Sequence, residues 1–347
     1  MQPVYVRNAW YLAAWANELK PGEPFTRTLL DEPVMMYRTG DGTPVALEDR
    51  CCHRSLPLSL GKIEGDRIRC GYHGLLFDAG GRCVQVPGQS LVPPGSGVRR
   101  YPAVERWRAI WLWMGVPAAA DPALIPNLYW LDHPQWGAGT GQMQIKCGYQ
   151  LIVDNVLDLT HLSYVHPRTF GTLAIAESPA RYERVGDQVR IIRWILDSKP
   201  PGVMMRNRAM DGNIDRRQLI TFLPPSVVTI EGWFGPAVAG RDQRAEPEGG
   251  FGICNVNALT PVSATETLHL FAEAQSYAPK DDAATNKLFT EVYDTFLEDI
   301  EVLQAQQRAL LERPNRPMID INADAGGLEA RRIMARLTAS DAARPAA

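Results

Sequence analysis

Two short loops constrain this chain more than any other feature. Cys51 and His53 stand one residue apart, Cys70 and His73 two residues apart, and sixteen residues separate the pairs. The stretch RCCHRSLPLSLGKIEGDRIRCGYHGLLF thus offers one thiol and one imidazole from each loop, which is a metal-ligand inventory drawn from two places. Pro57, Gly61, Gly71 and Gly74 surround the four residues and supply the tight turns such loops need. Four ligands of this kind can bind zinc tetrahedrally. Common structural zinc sites, however, draw like residues from one knuckle, two cysteines and then two histidines, whereas each loop here gives one of each.

Mixed loops suit a Rieske 2Fe-2S cluster, in which histidines replace cysteines on one iron and raise the reduction potential. Cys51 and Cys70 would then bind one iron and His53 and His73 the other, with structural zinc as the alternative. Composition supports a ligand role for these thiols. No basic start with an unbroken apolar core opens the chain, and no run reaches the roughly 18 apolar residues of a membrane span. The expectation is a cytoplasmic protein in a reducing compartment, where six cysteines are ligands or buried thiols. Cys52, Cys83, Cys147 and Cys254 lack cluster spacing and are read as core residues. A formal charge of -3 argues against a nucleic-acid partner. The arginines at 206, 208, 216 and 217 are read as solvated strand edges or loops.

A length of 347 residues favours two domains. Short strand patterns such as PVMMYRT, PVALEDR and YPAVERWRAIWLWMG fill the first part, punctuated by DGT, DAGG and PPGSG. The Pro- and Ala-rich connection GVPAAADPALIP marks a change of pattern. We expect a β domain over residues 1–118 and an α+β domain over 119–347. The second contains a helical segment near 150–166, several strands, a long helix from Asn286 to Leu311, a shorter one near 326–337, and a disordered tail from about 338.

The second segment of interest is DNVLDLTHLSYVHPRTF. At about 100° per residue Asp158 and His161 are neighbours on a helix, while His166 lies about 140° from His161. Pro167 disfavours a helical His166, so the helix is expected to end or bulge there and let His166 swing toward His161. Two histidines and a carboxylate form the facial triad of non-haem Fe(II) sites. The long helix supplies the carboxylate. Its apolar stripe runs through Phe289, Val292, Phe296, Ile300, Leu303 and Leu310, with Asp299 about 60° from the stripe's centre on its buried flank. A carboxylate there must be paired, protonated or metal-bound. Glu291, Asp294, Glu298 and Glu301 are read as a solvated face. Asp158 makes sense as a group orienting His161.

Together these residues resemble the oxygenase components of Rieske non-haem iron oxygenases. VRNAWYLAAW, VPGQ, YPAVER, WLWMG and INADAGGLEARRIMARL are similar to the branch containing vanillate O-demethylase, toluenesulfonate methyl-monooxygenase and dicamba O-demethylase. The resemblance implies an α+β chain with an N-terminal all-β Rieske domain and a catalytic domain of helix-grip type. It implies a 2Fe-2S cluster on Cys51, His53, Cys70 and His73, and a mononuclear Fe(II) on His161, His166 and Asp299. It also implies a homotrimer in which Asp158 joins a cluster histidine of one protomer to an iron histidine of the next. Asn155 is expected to face iron or substrate, and Asn257 to contact substrate. No nicotinamide or flavin fingerprint is present, so electrons must come from a separate NAD(P)H-dependent reductase. The expected reaction uses O2 to demethylate or hydroxylate a methyl group of an aromatic carboxylate or sulfonate. Ring hydroxylation to a phenol or cis-diol is the alternative. A non-enzymatic electron carrier or zinc-stabilised binding module is a remote one.

Overall fold

Short apolar runs separated by Gly- and Pro-rich turns are too brief to bury a sheet face alone, and in the computed structural model they assemble into three small antiparallel sheets. The structure describes residues 5–243 and 248–342. One sheet joins Trp10–Trp15, Ala109–Trp113 and Ala103–Arg106. A second joins Phe25–Leu29, Glu32–Arg38, Pro44–Glu48 and Arg100–Tyr101. The third, Lys62–Glu64, Arg67–Arg69, Leu76–Phe77 and Cys83–Gln85, carries the Cys-His loops. The run YPAVERWRAIWLWMG, read as one strand, is a hairpin. Trp107 and Arg108 both take positive φ (56° and 58°), the geometry of a two-residue turn that matches strand twist.

The chain divides into two compact units, Met1–Asn127 with Thr260–Ser263 and Thr338–Ala347, and Leu128–Leu259 with Ala264–Leu337. The second unit is built on a seven-stranded antiparallel sheet. Its order is Gly137–Ile145, Glu266–Gln275, Phe251–Ser263, Val227–Pro236, Ile214–Leu223, Gln188–Ser198 and Ala180–Val185. Five consecutive connections form a meander, and the earliest strand closes the edge beside the last. Helix Asp282–Glu312 lies against the sheet, its first turn capped by Asp281, whose carboxylate accepts from Ala284 N at 3.0 Å. Gly139 and Gly141 let it approach: a Cβ on Gly141 would stand 2.6 Å from Phe289 and 2.9 Å from Phe271. Leu288 and Val292 complete that core with Val203, Met204, Phe234 and Ile253. An N-terminal β region followed by an α+β region with a long helix against its sheet is the expected α+β fold class.

Several readings need correction. The last helix runs Ala325–Ala342, so residues 338–342 are helical. Their Asp341 carboxylate accepts from Asn8 N at 3.0 Å and from the Asn8 side-chain amide, which ties this turn down. The rest of the predicted tail lies outside the described residues. Cys83, Cys147 and Cys254 are buried as expected, but Cys52 is exposed because the first loop turns it outward. Arg216 is buried, donating to Thr172 Oγ1 at 2.9 Å, rather than solvated. No helix among the described residues is long and apolar enough to cross a membrane.

Candidate metal centres

The two Cys-His loops share one backbone design. Cys51 N donates to Leu56 O and Cys70 N to Leu75 O, both at 2.8 Å. Ser55 N returns to Cys51 O at 2.9 Å and Gly74 N to Cys70 O at 3.1 Å. The returning residue has positive φ in each loop, 56° at Ser55 and 74° at Gly74. Gly61 and Gly71 permit the loops to stack, since a Cβ on Gly71 would sit 2.6 Å from Leu60 O. Both thiols are buried in a core with Met35, Tyr37, Leu58, Ile68 and Phe77, whereas His53 and His73 are exposed with ring centroids 4.5 Å apart. Burial pushes the Cys51 thiol up to about 11, so a metal entering there must displace the proton. Sulfur inside and imidazole outside is a polarity that fits a mixed Cys/His cluster, which these four residues would hold.

The second cluster forms because the predicted 150–166 helix breaks earlier than Pro167 demands. Helix Tyr149–Leu157 ends at Asp158 (φ −113°, ψ 91°). Its carboxylate caps the next turn, accepting from Thr160 N at 2.9 Å and Thr160 Oγ1 at 2.6 Å. The following turns bring His161 and His166 to 5.4 Å between ring centroids. Asp299 Oδ1 lies 3.5 Å from His161 Nε2 and 3.1 Å from His166 Nε2, and one donor atom from each residue falls within 4.8 Å of the others. Asp299 does not sit on the flank of the long helix. The buried row is Thr285, Leu288, Val292, Thr295, Asp299 and Leu303, which places the carboxylate in its middle. Phe289, Phe296 and Ile300 are only half-buried.

Each imidazole has its outer nitrogen occupied. His161 Nδ1 meets the Asp158 carbonyl at 2.5 Å, so the main chain, not the Asp158 side chain, orients it. His166 Nδ1 meets Glu298 Oε2 at 2.6 Å. Both contacts place the proton on Nδ1 and leave the Nε2 lone pairs toward Asp299. His166 Nε2 is buried and has no polar neighbour but Asp299 Oδ1 at 3.1 Å. With its proton on Nδ1 this leaves a lone pair facing a carboxylate, an arrangement that a metal between them would satisfy. Burial alone would lower the His166 pKa, but the Asp299 and Glu298 carboxylates hold it above its ordinary value, and the same negative field favours a dication. Two imidazoles and one carboxylate therefore fit non-haem iron. Asn155 Nδ2 donates to Asp299 Oδ1 at 3.1 Å and fixes the carboxylate.

Glu298 escaped the sequence reading because its helix angle put it on the solvated face. Its reach to a histidine 132 residues earlier has no local signature. Glu298→Ala is expected to weaken iron binding at this centre by about 10- to 100-fold while leaving a cluster on the first loops untouched. Iron titration of apoprotein, followed beside the visible spectrum, checks this.

A cavity opens beside the ligand group, with His161 and Asp299 in its wall. Phe170, Phe234, Phe296, Ile230, Ile253 and Val292 supply its apolar walls, and Asn155, Gln218, Asn255 and Glu273 its polar points. Asn257 is not among the lining residues. It is fully buried behind the wall, and Asn255, two residues earlier on the same strand face, takes the position facing the cavity.

Comparison with known proteins agrees with both centres. Residues 9–102 match the Rieske [2Fe-2S] domain and residues 145–340 the vanillate O-demethylase oxygenase C-terminal domain. The chain is 39% identical to the toluene-4-sulfonate monooxygenase system iron-sulfur subunit of Comamonas testosteroni, covering 96% of this chain and 97% of that one. It is 36% identical to the vanillate O-demethylase oxygenase subunit of Pseudomonas sp. (strain HR199 / DSM 7063), covering 97% and 96%. The crystal structure of dicamba monooxygenase bound to 3,6-dichlorosalicylic acid superposes with TM-score 0.91 at 30% identity, over 99% of this chain and all of that one. The chain is thus an oxygenase component that carries a Rieske domain, and it belongs to the Rieske non-haem iron oxygenases.

Proposed function

We propose that this chain oxidises the methyl or methoxy carbon of an aromatic carboxylate or sulfonate. The observation that carries the reading is the three-ligand set of His161, His166 and Asp299, two of whose members, His161 and Asp299, line an aromatic-walled cavity. Cys51 and Cys70 hold one iron of the cluster, His53 and His73 the other, and electrons arrive from an NAD(P)H-dependent reductase. Bound ferrous iron supplies O2 activation. The protein's own part is to stack the ring among Phe170, Phe234 and Phe296, exclude water, and keep Asp299 aligned through Asn155. Asp158, half-buried beside His161, joins the two centres of adjacent protomers in a homotrimer. Six cysteines without a disulfide suit a cytoplasmic location.

Reconstitution with a reductase and 4-methoxybenzoate tests this directly. Formaldehyde and a phenol, formed with O2 consumption, are the expected products, because a hydroxylated methoxy carbon collapses to them. A ring diol without formaldehyde would assign the oxygen to the ring instead.

A further inference from the structure

Behind the cavity wall runs a buried polar chain that the reaction itself does not require. His269 Nε2 contacts Asn257 Oδ1 at 2.9 Å, Asn257 Nδ2 donates to Asn255 Oδ1 at 2.6 Å, and Asn255 Nδ2 donates to Glu273 Oε2 at 3.1 Å. All four residues are at most 9% exposed. Main-chain carbonyls fix the direction of the chain. Asn257 Nδ2 also donates to Val228 O at 3.3 Å and Asn255 Nδ2 to Ala272 O at 3.5 Å, so neither amide can turn over without facing oxygen against oxygen. Every donor therefore points toward Glu273. Its Oε2 is the accepting oxygen, Oε1 is buried and without a partner, and the residue lines the cavity.

We propose that Glu273 is a neutral carboxylic acid whose Oε1 hydroxyl donates a hydrogen bond to an acceptor oxygen of the aromatic substrate, and so selects ring acids over ring amines. The assignment rests on the aromatic-substrate reading above. Among the described residues that line the cavity there is no Lys or Arg, so a carboxylate or sulfonate must be met there by neutral donors. The Asn155 and Asn255 amides already donate to Asp299 and Glu273, whereas Glu273 keeps Oε1 unpaired. A protonated carboxyl in an apolar site is a strong donor to an oxyanion.

Burial supports the protonation state, pushing the Glu273 carboxyl up to about 8 against the hydrogen bond from Asn255. The titratable groups around it do not compete for the proton. Burial raises Tyr277 to about 12 and raises Cys254 as well, and it lowers His269 to about 3, leaving all three uncharged at neutral pH. His161 and Asp299 line the same cavity and are committed to the metal. The sign of the pH effect follows. Donation is available while Glu273 is protonated and is lost as pH rises through about 8.

Two measurements on the holoprotein test the proposal. The first is an infrared difference spectrum between wild type and Glu273→Gln. A protonated-carboxyl carbonyl band at pH 7 that disappears above the Glu273 pKa is expected, and no such band would overturn the assignment whether or not the chain is an oxygenase. The second is binding of 4-methoxybenzoate and 4-methoxybenzylamine, followed by tryptophan fluorescence. Glutamine must turn its oxygen to Asn255 and its N–H to the cavity, so Glu273→Gln should hold the benzoate within about threefold of wild type, whereas Glu273→Ala should lose about tenfold or more. Benzoate affinity should fall at alkaline pH in wild type and stay flat in Glu273→Gln. Preferential binding of the amine, abolished in Glu273→Gln, would show an ionised Glu273 and overturn the proposal. Unchanged benzoate binding in Glu273→Ala would do the same.

Discussion

Asp299→Ala is expected to lower turnover by about 10³-fold or more, roughly 4 kcal/mol in the activation barrier, while the visible spectrum of the cluster stays as it was. The size of the effect follows from position. Asp299 is the only carboxylate among the three grouped donors, and it lies within reach of both histidine Nε2 atoms. Removing it leaves two neutral imidazoles, a set too weak to retain ferrous iron, and leaves Asn155 without its acceptor. Asp299→Asn separates charge from shape. It keeps the volume and the hydrogen-bonding capacity, so an equal loss of turnover identifies the charge as the essential property. Turnover at wild-type level in either variant would place the iron elsewhere.

Cys70→Ser should yield colourless protein with no reductase-dependent turnover. Serine preserves the Cys70 N to Leu75 O turn and the loop's shape, and removes only the soft thiolate that an iron-sulfur cluster requires. Cluster binding is coupled to folding of the loops that hold it, so thermal unfolding of this variant should also begin at lower temperature. Cys83→Ser provides the control. Cys83 is buried in the same core as Cys51 and Cys70, yet lies outside the paired loops, and its sulfur contacts Gln85 O at 3.5 Å. Its serine variant should keep the colour. Loss of colour in Cys83→Ser, or retention in Cys70→Ser, would reassign the ligands.

Much of this site was legible in the sequence because its chemistry is local. The cluster loops announce themselves by spacing, and His161 and His166 share one segment. Asp299 was reachable by helical periodicity, although the stripe chosen from apolar residues was rotated. Thr285, Thr295 and Asp299 are buried on polar side chains, which a hydrophobic pattern does not count. The break at Asp158 was missed because a side-chain cap on the next turn competes with helix continuation, and an Asp-Leu-Thr sequence carries that capacity without declaring it. Glu298, Asn255 and Glu273 depend on partners in other elements of the sheet and long helix, which only the folded chain brings together. The same holds for Asn257. Family resemblance pointed to its strand, but not to its depth behind the cavity wall.

The most direct test is iron and acid-labile sulfide, quantified per chain in wild type and in Asp299→Ala after loading with ferrous iron. The expected content is about three irons to two sulfides in wild type and about two to two in the variant, since only the mononuclear ion depends on Asp299. Zinc without sulfide, or an iron-to-sulfide ratio unaltered by the substitution, would contradict a chain that carries a cluster and a separate iron site.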